Sequence, residues 1–270
     1  MQGLLKQLCT VLAAGGMVLA VFATPAFAAR THPQKQAHPQ NLTADEIVGK
    51  AITDLKDASS VHTSARISIL GLTVAESGTF TRQGCQTAVS MSAPGHTFSD
   101  EFLVVGTSAW VRPDAGALKS LGYTGAELSS LEGKWITFAA VKKVAGGNNF
   151  PAPATLCGAR SELGKLAPHG WTLGKLVKIN GQWAWQVSGT STTSVSTCIQ
   201  IGAKCEKYST KVSSKTSAYV SDSAKPEFLT VTMSGVTERF SGYNAKVTLT
   251  APPAADVLTS IPKPPGKSST

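Results

Sequence analysis

A change of hydrophobic period near residue 60 limits this chain's fold more than any other feature. Upstream of it, Ile47, Ala51, Ile52 and Leu55 recur at helical spacing behind Thr43 and Glu46, a capping-box pair, which predicts one amphipathic helix to about Ala58. From Val61 the period is two: Ala65, Ile67 and Ile69 alternate with Ser64, Arg66 and Ser68, the pattern of a half-buried strand. Gly71 turns the chain, and further strands are expected over residues 79–82, 86–92, 98–105 and 109–112, separated by Gly, Pro and Asp turn signals. One helix with a single apolar face, followed by a meander, is a helix that must bury itself on a sheet.

The middle of the chain returns to helical spacing, with short helices expected at 115–121 and 126–132 and a longer one at 154–166, where Leu156, Leu163 and Leu166 are the apolar positions. Strands resume at 171–179. Asn180-Gly181 is the strongest hairpin signal in the chain and leads into 182–188, where Trp183, Trp185 and Val187 share a face. More strands are expected at 206–212, 217–220, 228–234, 237–240 and 246–250, before Pro252-Pro253. Residues 43–260 thus form one domain, preceded by a flexible polar leader over 29–42 and followed by a Pro-rich tail over 261–270.

The first 28 residues read as a secretory signal peptide: Lys6, an apolar run over 12–21, and small residues around Ala26-Phe27-Ala28 that fit cleavage after Ala28. The run is shorter than the roughly 20 unbroken apolar residues of a membrane span. Cys9 precedes or lies within the run instead of following it, so there is no lipobox and the mature protein is expected to be secreted or extracytoplasmic. The formal charge of +9 falls to +8 on removal of that segment, a balance that favours anionic partners such as a membrane surface. Nucleic acid is not expected as a partner, because no platform interleaving aromatic and basic residues is present. Cys85, Cys157, Cys198 and Cys205 remain, an even number in an oxidising compartment, so two disulfides are expected from three possible pairings. Cys198 and Cys205 flank Gly202 and suit a bridge across a hairpin, which leaves Cys85 to Cys157.

Signatures of chemistry are missing. There is no G-x-S-x-G elbow, and Ser260 with Lys263 lies in a Pro-rich segment that cannot supply the helix a Ser-x-x-Lys site needs. His32, His38, His62, His96 and His169 are scattered, and no C-x-x-C pair or phosphate-binding loop occurs, so no metal, cofactor or enzymatic activity is expected. Nothing in the sequence specifies an oligomer. Lys204, Lys207, Lys211 and Lys215 form a basic run whose ordinary reading is a solvated strand and loop.

What stands out is the supply of bulky apolar side chains on the strands. Ile67, Ile69, Phe80, Phe102, Val104, Trp135, Trp183, Trp185, Leu229 and Val231 are the candidates to line a hydrophobic cavity between sheet and helices. Ser60-Val61-His62 opening the meander, Ala109-Trp110-Val111, Gly133-Lys134-Trp135-Ile136, and Phe240-Ser241-Gly242-Tyr243 before Val247 to Pro253 together resemble the LolA-like and LprG/LppX-like envelope proteins of bacteria, over about residues 43–258. The resemblance implies an α+β fold, a curved, unclosed antiparallel β half-barrel with helices covering its concave face. It also implies a non-catalytic carrier of lipid or acylated lipoprotein in the cell envelope. The alternative is an interaction or sensing module on the same scaffold with a filled core.

Overall fold

The computed structural model describes residues 42–69, 71–144, 157, 166, 169–201, 204–233 and 235–262. The chain enters through helix α1 (Ala44–Asp57), and the predicted capping box is formed: Thr43 Oγ1 accepts from the Glu46 amide at 3.3 Å, and the Thr43 amide donates to Glu46 Oε2 at 2.7 Å. Such a cap is worth about 1 kcal/mol. One stripe of α1 is buried, with Ile47, Val48, Ala51, Ile52 and Leu55 each no more than 5 % exposed. Ala58 then turns extended and ends the helix.

A meander follows: β1 (Ser60–Ile69), β2 (Leu72–Thr81), β3 (Gly84–Ala93), β4 (His96–Val105) and β5 (Ser108–Pro113). Helices α2 (Ala115–Ser120) and α3 (Gly125–Leu131) come next, then β6 (Trp135–Thr137) and α4 (Phe138–Val144). The second set of strands is β7 (Thr172–Ile179), β8 (Gln182–Ile201), β9 (Lys204–Ser221), β10 (Phe228–Met233) and β11 (Val236–Ser241). A 3-10 turn (Ala254–Asp256) leads into β12 (Val257–Leu258).

Among the described residues these strands make one sheet of twelve in the order β12-β6-β5-β4-β3-β2-β1-β11-β10-β9-β8-β7. Pairing of β1 with β11 joins the two meanders back to back, and every pair is antiparallel except β12 with β6. The ends, β7 and β12, do not meet, so the sheet is a curved half-barrel that never closes. Register shifts in β7 and β10 add local bend and twist.

The inner face of the curve carries α1. Val61, Phe80, Cys85, Val104, Val187, Val220 and Phe228 pack beneath it in the main core. Farther along the same face, Phe102, Val111 and Ile136 pack with Ala140 of α4. On the outer face Leu103 and Trp135 are covered by Leu249. Cys85 is joined to Cys157 by a disulfide with a Cα separation of 5.6 Å, so the connection between α4 and β7 is pinned to the inner side of β3.

Several expectations need correction. Residues 246–250 are not a strand: this segment is unpaired, and its apolar rhythm reflects Leu249 packing onto Leu103 and Trp135. The expected strands at 206–212 and 217–220 are one strand, β9, paired residue by residue with β8 from Ala184↔Ser221 to Ile201↔Lys204. Strand β2 begins at Leu72, earlier than the expected 79. The helix expected at 154–166 lies outside the described residues except for Cys157 and Leu166. The signal segment, the leader up to residue 41 and the tail from residue 263 also lie outside them.

Candidate functional site

The candidate site grows out of strand parity. Residues in phase with Val61, Phe80, Cys85 and Val104 face inward, and a few residues farther along each strand α1 no longer covers them all. Phe98, Met91, Val74 and Ile67 are successive cross-strand partners from β4 to β1. On the far side of the β1–β11 junction, Val236 pairs with Met233, and Met233 with Thr216. These apolar side chains are half-buried, and Leu72 in the same phase is 37 % exposed. Apart from Met233, which touches the main core, they belong to no apolar cluster among the described residues. The inner face thus has a packed half under α1 and an open apolar half.

Between the two halves runs a row that is not apolar. Asp100 pairs with Val89, Val89 with Glu76, Glu76 with Ala65, Ala65 with Glu238, and Glu238 with Val231. Three carboxyls therefore stand on the inner face in one cross-strand line, two of them flanking the small Ala65. Loss of solvation pushes Glu238 up to about 7, and repulsion from Glu76 adds to it, against a hydrogen bond from Thr63. Desolvation pushes Asp100 up to about 6, with Asp114 adding repulsion. Glu76 is raised by the same cause while its side chain still reaches solvent. The described ion pairs, Arg112 with Glu101 and Lys134 with Asp256, involve none of the three. One strand row beyond, Thr216 is 1 % exposed and its hydroxyl has no hydrogen-bond partner among the described residues.

The predicted lining residues divide by this geometry. Phe80, Val104 and Val231 lie in the packed core under α1, and Phe102 lies against α4. Ile67 stands in the open row, and Ile69 occupies the register position opposite Leu72 at its rim. Trp185 faces inward and donates from Nε1 to Asp222 Oδ1 at 3.0 Å, while Trp183 in the same phase is 38 % exposed beside Lys178. Leu229 sits at the irregularity of β10 and is half-buried. Trp135 must be withdrawn from the set. Val111 pairs with Ile136, which sends Ile136 inward and Trp135 to the outer face, where the Arg112 guanidinium lies 4.7 Å from its ring centroid. Val74, Met91, Phe98, Met233 and Val236 were not anticipated, although their spacing from Ile67 and Phe102 along the strands carried the signal.

The second cysteine pair falls in the β8–β9 ribbon. Cys198 is opposite Lys207 and Cys205 opposite Gln200, so the two positions are staggered by two residues and not directly paired. On the solvent side of α1 is a cleft of about 490 Å³ bordered by Glu46, Lys50, Asp54 and Lys225, charged and open, unlike the apolar row of the inner face. Among the described residues no group of three His, Cys, Asp or Glu is placed to hold a metal, and no helix is long and apolar enough to cross a membrane. The Cys85–Cys157 disulfide fits an oxidising compartment outside the cytoplasm.

No family model and no curated protein matches the chain. Among solved structures, LprF from Mycobacterium bovis aligns with 16 % identity over 77 % of this chain and 96 % of its own, at a TM-score of 0.46. An uncharacterized conserved protein from Thermus thermophilus aligns with 11 % identity over 80 % of this chain and 98 % of its own, at a TM-score of 0.35. Neither likeness is close enough to bear on function.

Proposed function

We propose that this protein is an exported, non-catalytic carrier that holds the acyl chains of a lipid or lipoprotein against the open half of the inner face. The observation that supports this is the row Phe98, Met91, Val74 and Ile67: contiguous apolar side chains on a concave wall, half-buried and outside every described apolar cluster. An apolar concave surface left partly wet is the usual form of a hydrophobic ligand site. Burial contributes ~0.8 kcal/mol for each CH₂, so a chain of about 16 carbons gains on the order of 10 kcal/mol before the costs of association. Export rests on the apolar segment ending at Ala28 and on the disulfide. The packed half under α1 favours a second reading, an interaction module whose core is filled.

Residues 29–270, produced by secretion and purified without denaturation, are to be extracted with organic solvent and the extract analysed by mass spectrometry. A stoichiometric lipid supports the carrier and names its cargo class. No lipid, together with no protection of an added fluorescent fatty acid, removes the carrier reading and leaves the module.

A further inference from the structure

The open row does not stop at Met233. Met233 pairs with Thr216, Thr216 with Gly189, and Gly189 lies in the phase of Val187, so the row runs on across β9 and β8. A glycine inside a strand gives up packing and chain entropy, and it marks a place where another group comes close. Here that group is Trp171, the residue before β7: a Cβ on Gly189 would lie 3.1 Å from Trp171 Cδ2 and 3.2 Å from Trp171 Cε3. The indole therefore rests on the inner face, in the space that a side chain at Gly189 would fill. Its backbone is tied to α1, because the Trp171 amide donates to Asp45 Oδ1 at 2.8 Å. Trp171 and Met233 both pack against the main core, and Thr216, between Met233 and Gly189 along the row, is 1 % exposed. At the β4 end, by contrast, Phe98 is half-buried beside the exposed His96 and Thr97. The row is thus dry and closed by an aromatic ring at one end, and reached by water at the other.

We propose that the acyl chain lies along this row, across the strands and not parallel to them, with its methyl end against Trp171, whose ring sets the longest chain that fits. This rests on the carrier reading and names the residue that determines its chain-length specificity. From β4 to β10 the row crosses five strand spacings, about 24 Å along the wall, which is room for one long chain at full length. The orientation follows from hydration. A polar head group at the Thr216 end would lose its water, whereas a methyl group gains from the same burial.

The test uses the full mature chain and a neutral fluorescent acyl ester as the displaced probe, with saturated lysophosphatidylcholines of about 10 to 20 carbons as competitors, each below its micelle concentration. Affinity is expected to rise roughly tenfold for every two carbons added until the chain meets the ring, and to stop rising beyond that length. Trp171→Ala uncovers one more strand spacing, about 4.8 Å, and is expected to move the break to chains about four carbons longer while leaving the affinity of shorter chains unchanged. Trp183→Ala, on the same face but outside the row, is expected to leave the break where it is. A series without a break, a break that stays in place in Trp171→Ala, or one that Trp183→Ala moves equally overturns the end stop and leaves the carrier standing. Failure of the probe and of every competitor to bind overturns both. Should Trp171→Ala not fold, Trp171→Phe, which keeps a ring of smaller reach, is expected to move the break by about two carbons, and an unmoved break overturns the stop.

Discussion

The two halves of the inner face are built from the same strands and differ in what lies over them. In the main core, Val61, Phe80 and Cys85 are no more than 2 % exposed and share one apolar cluster with the buried stripe of α1. Six residues along the same strands, Ile67, Val74 and Met91 are in the same phase, equally apolar, and only half-buried. Alternation puts an apolar side chain on the inner face; only a covering element makes it core. The packed half therefore reads as the source of stability and the open half as the place for an occupant.

Substitutions can break that comparison. The largest contrast is expected between Phe80→Ala, which should cost about 3–5 kcal/mol in urea unfolding, and Ile67→Ala, which should cost about 1 kcal/mol or less because water already reaches the site. Equal costs would mean the halves are not distinct. Next, replacing Cys85 and Cys157 together by Ala opens a loop with a sequence separation of 72 and should cost about 2–4 kcal/mol in the same assay.

The carboxyl row at the boundary gives a smaller, pH-dependent effect. Folding raises Glu238 from 4.5 to about 7, so the native state holds a proton that the unfolded chain has released between those values. Its contribution is therefore full below about pH 4.5 and is lost as pH rises to about 7. Glu238→Gln should flatten the fall in stability between these values and, at about pH 8, stabilise on the order of 1–2 kcal/mol after allowance for its partial exposure. An unchanged pH profile of thermal unfolding would show that the carboxyl is well solvated. Smallest of all, Thr216→Val should raise stability by about 1 kcal/mol by removing a buried hydroxyl without a partner; a loss of that size would reveal a partner for it.

How much of this was legible in the sequence depended on how local the signal was. Helix α1 was readable because Thr43 and Glu46 mark its start and the 3.6 period runs unbroken behind them. The turn at Asn180-Gly181 was readable because both residues tolerate positive φ, and they adopt 49° and 86°. Strands β6 and β12, of three and two residues, are too short to show a period and exist through their neighbours. The ribbon's Ser- and Thr-rich stretch alternates without an apolar phase, so pairing extends it where patterning could not. The carboxyl row had a signal that went unused: Glu76 lies between Val74 and Gly78, Asp100 between Phe98 and Phe102, and Glu238 between Val236 and Phe240, each a charge in the apolar phase of a strand. That they line up is set by long-range register between strands far apart in sequence, and no local pattern encodes it.

The account's central claim, that the open half is an acyl-chain site, is tested most directly by filling it. A double variant, Ile67→Trp with Met91→Trp, is to be titrated with a fluorescent acyl probe beside the unaltered protein, and its stability measured in parallel. The account predicts that stability stays within about 1 kcal/mol while probe binding falls below detection. Binding that persists unchanged in a folded double variant would contradict it, because the chain would then be held somewhere else.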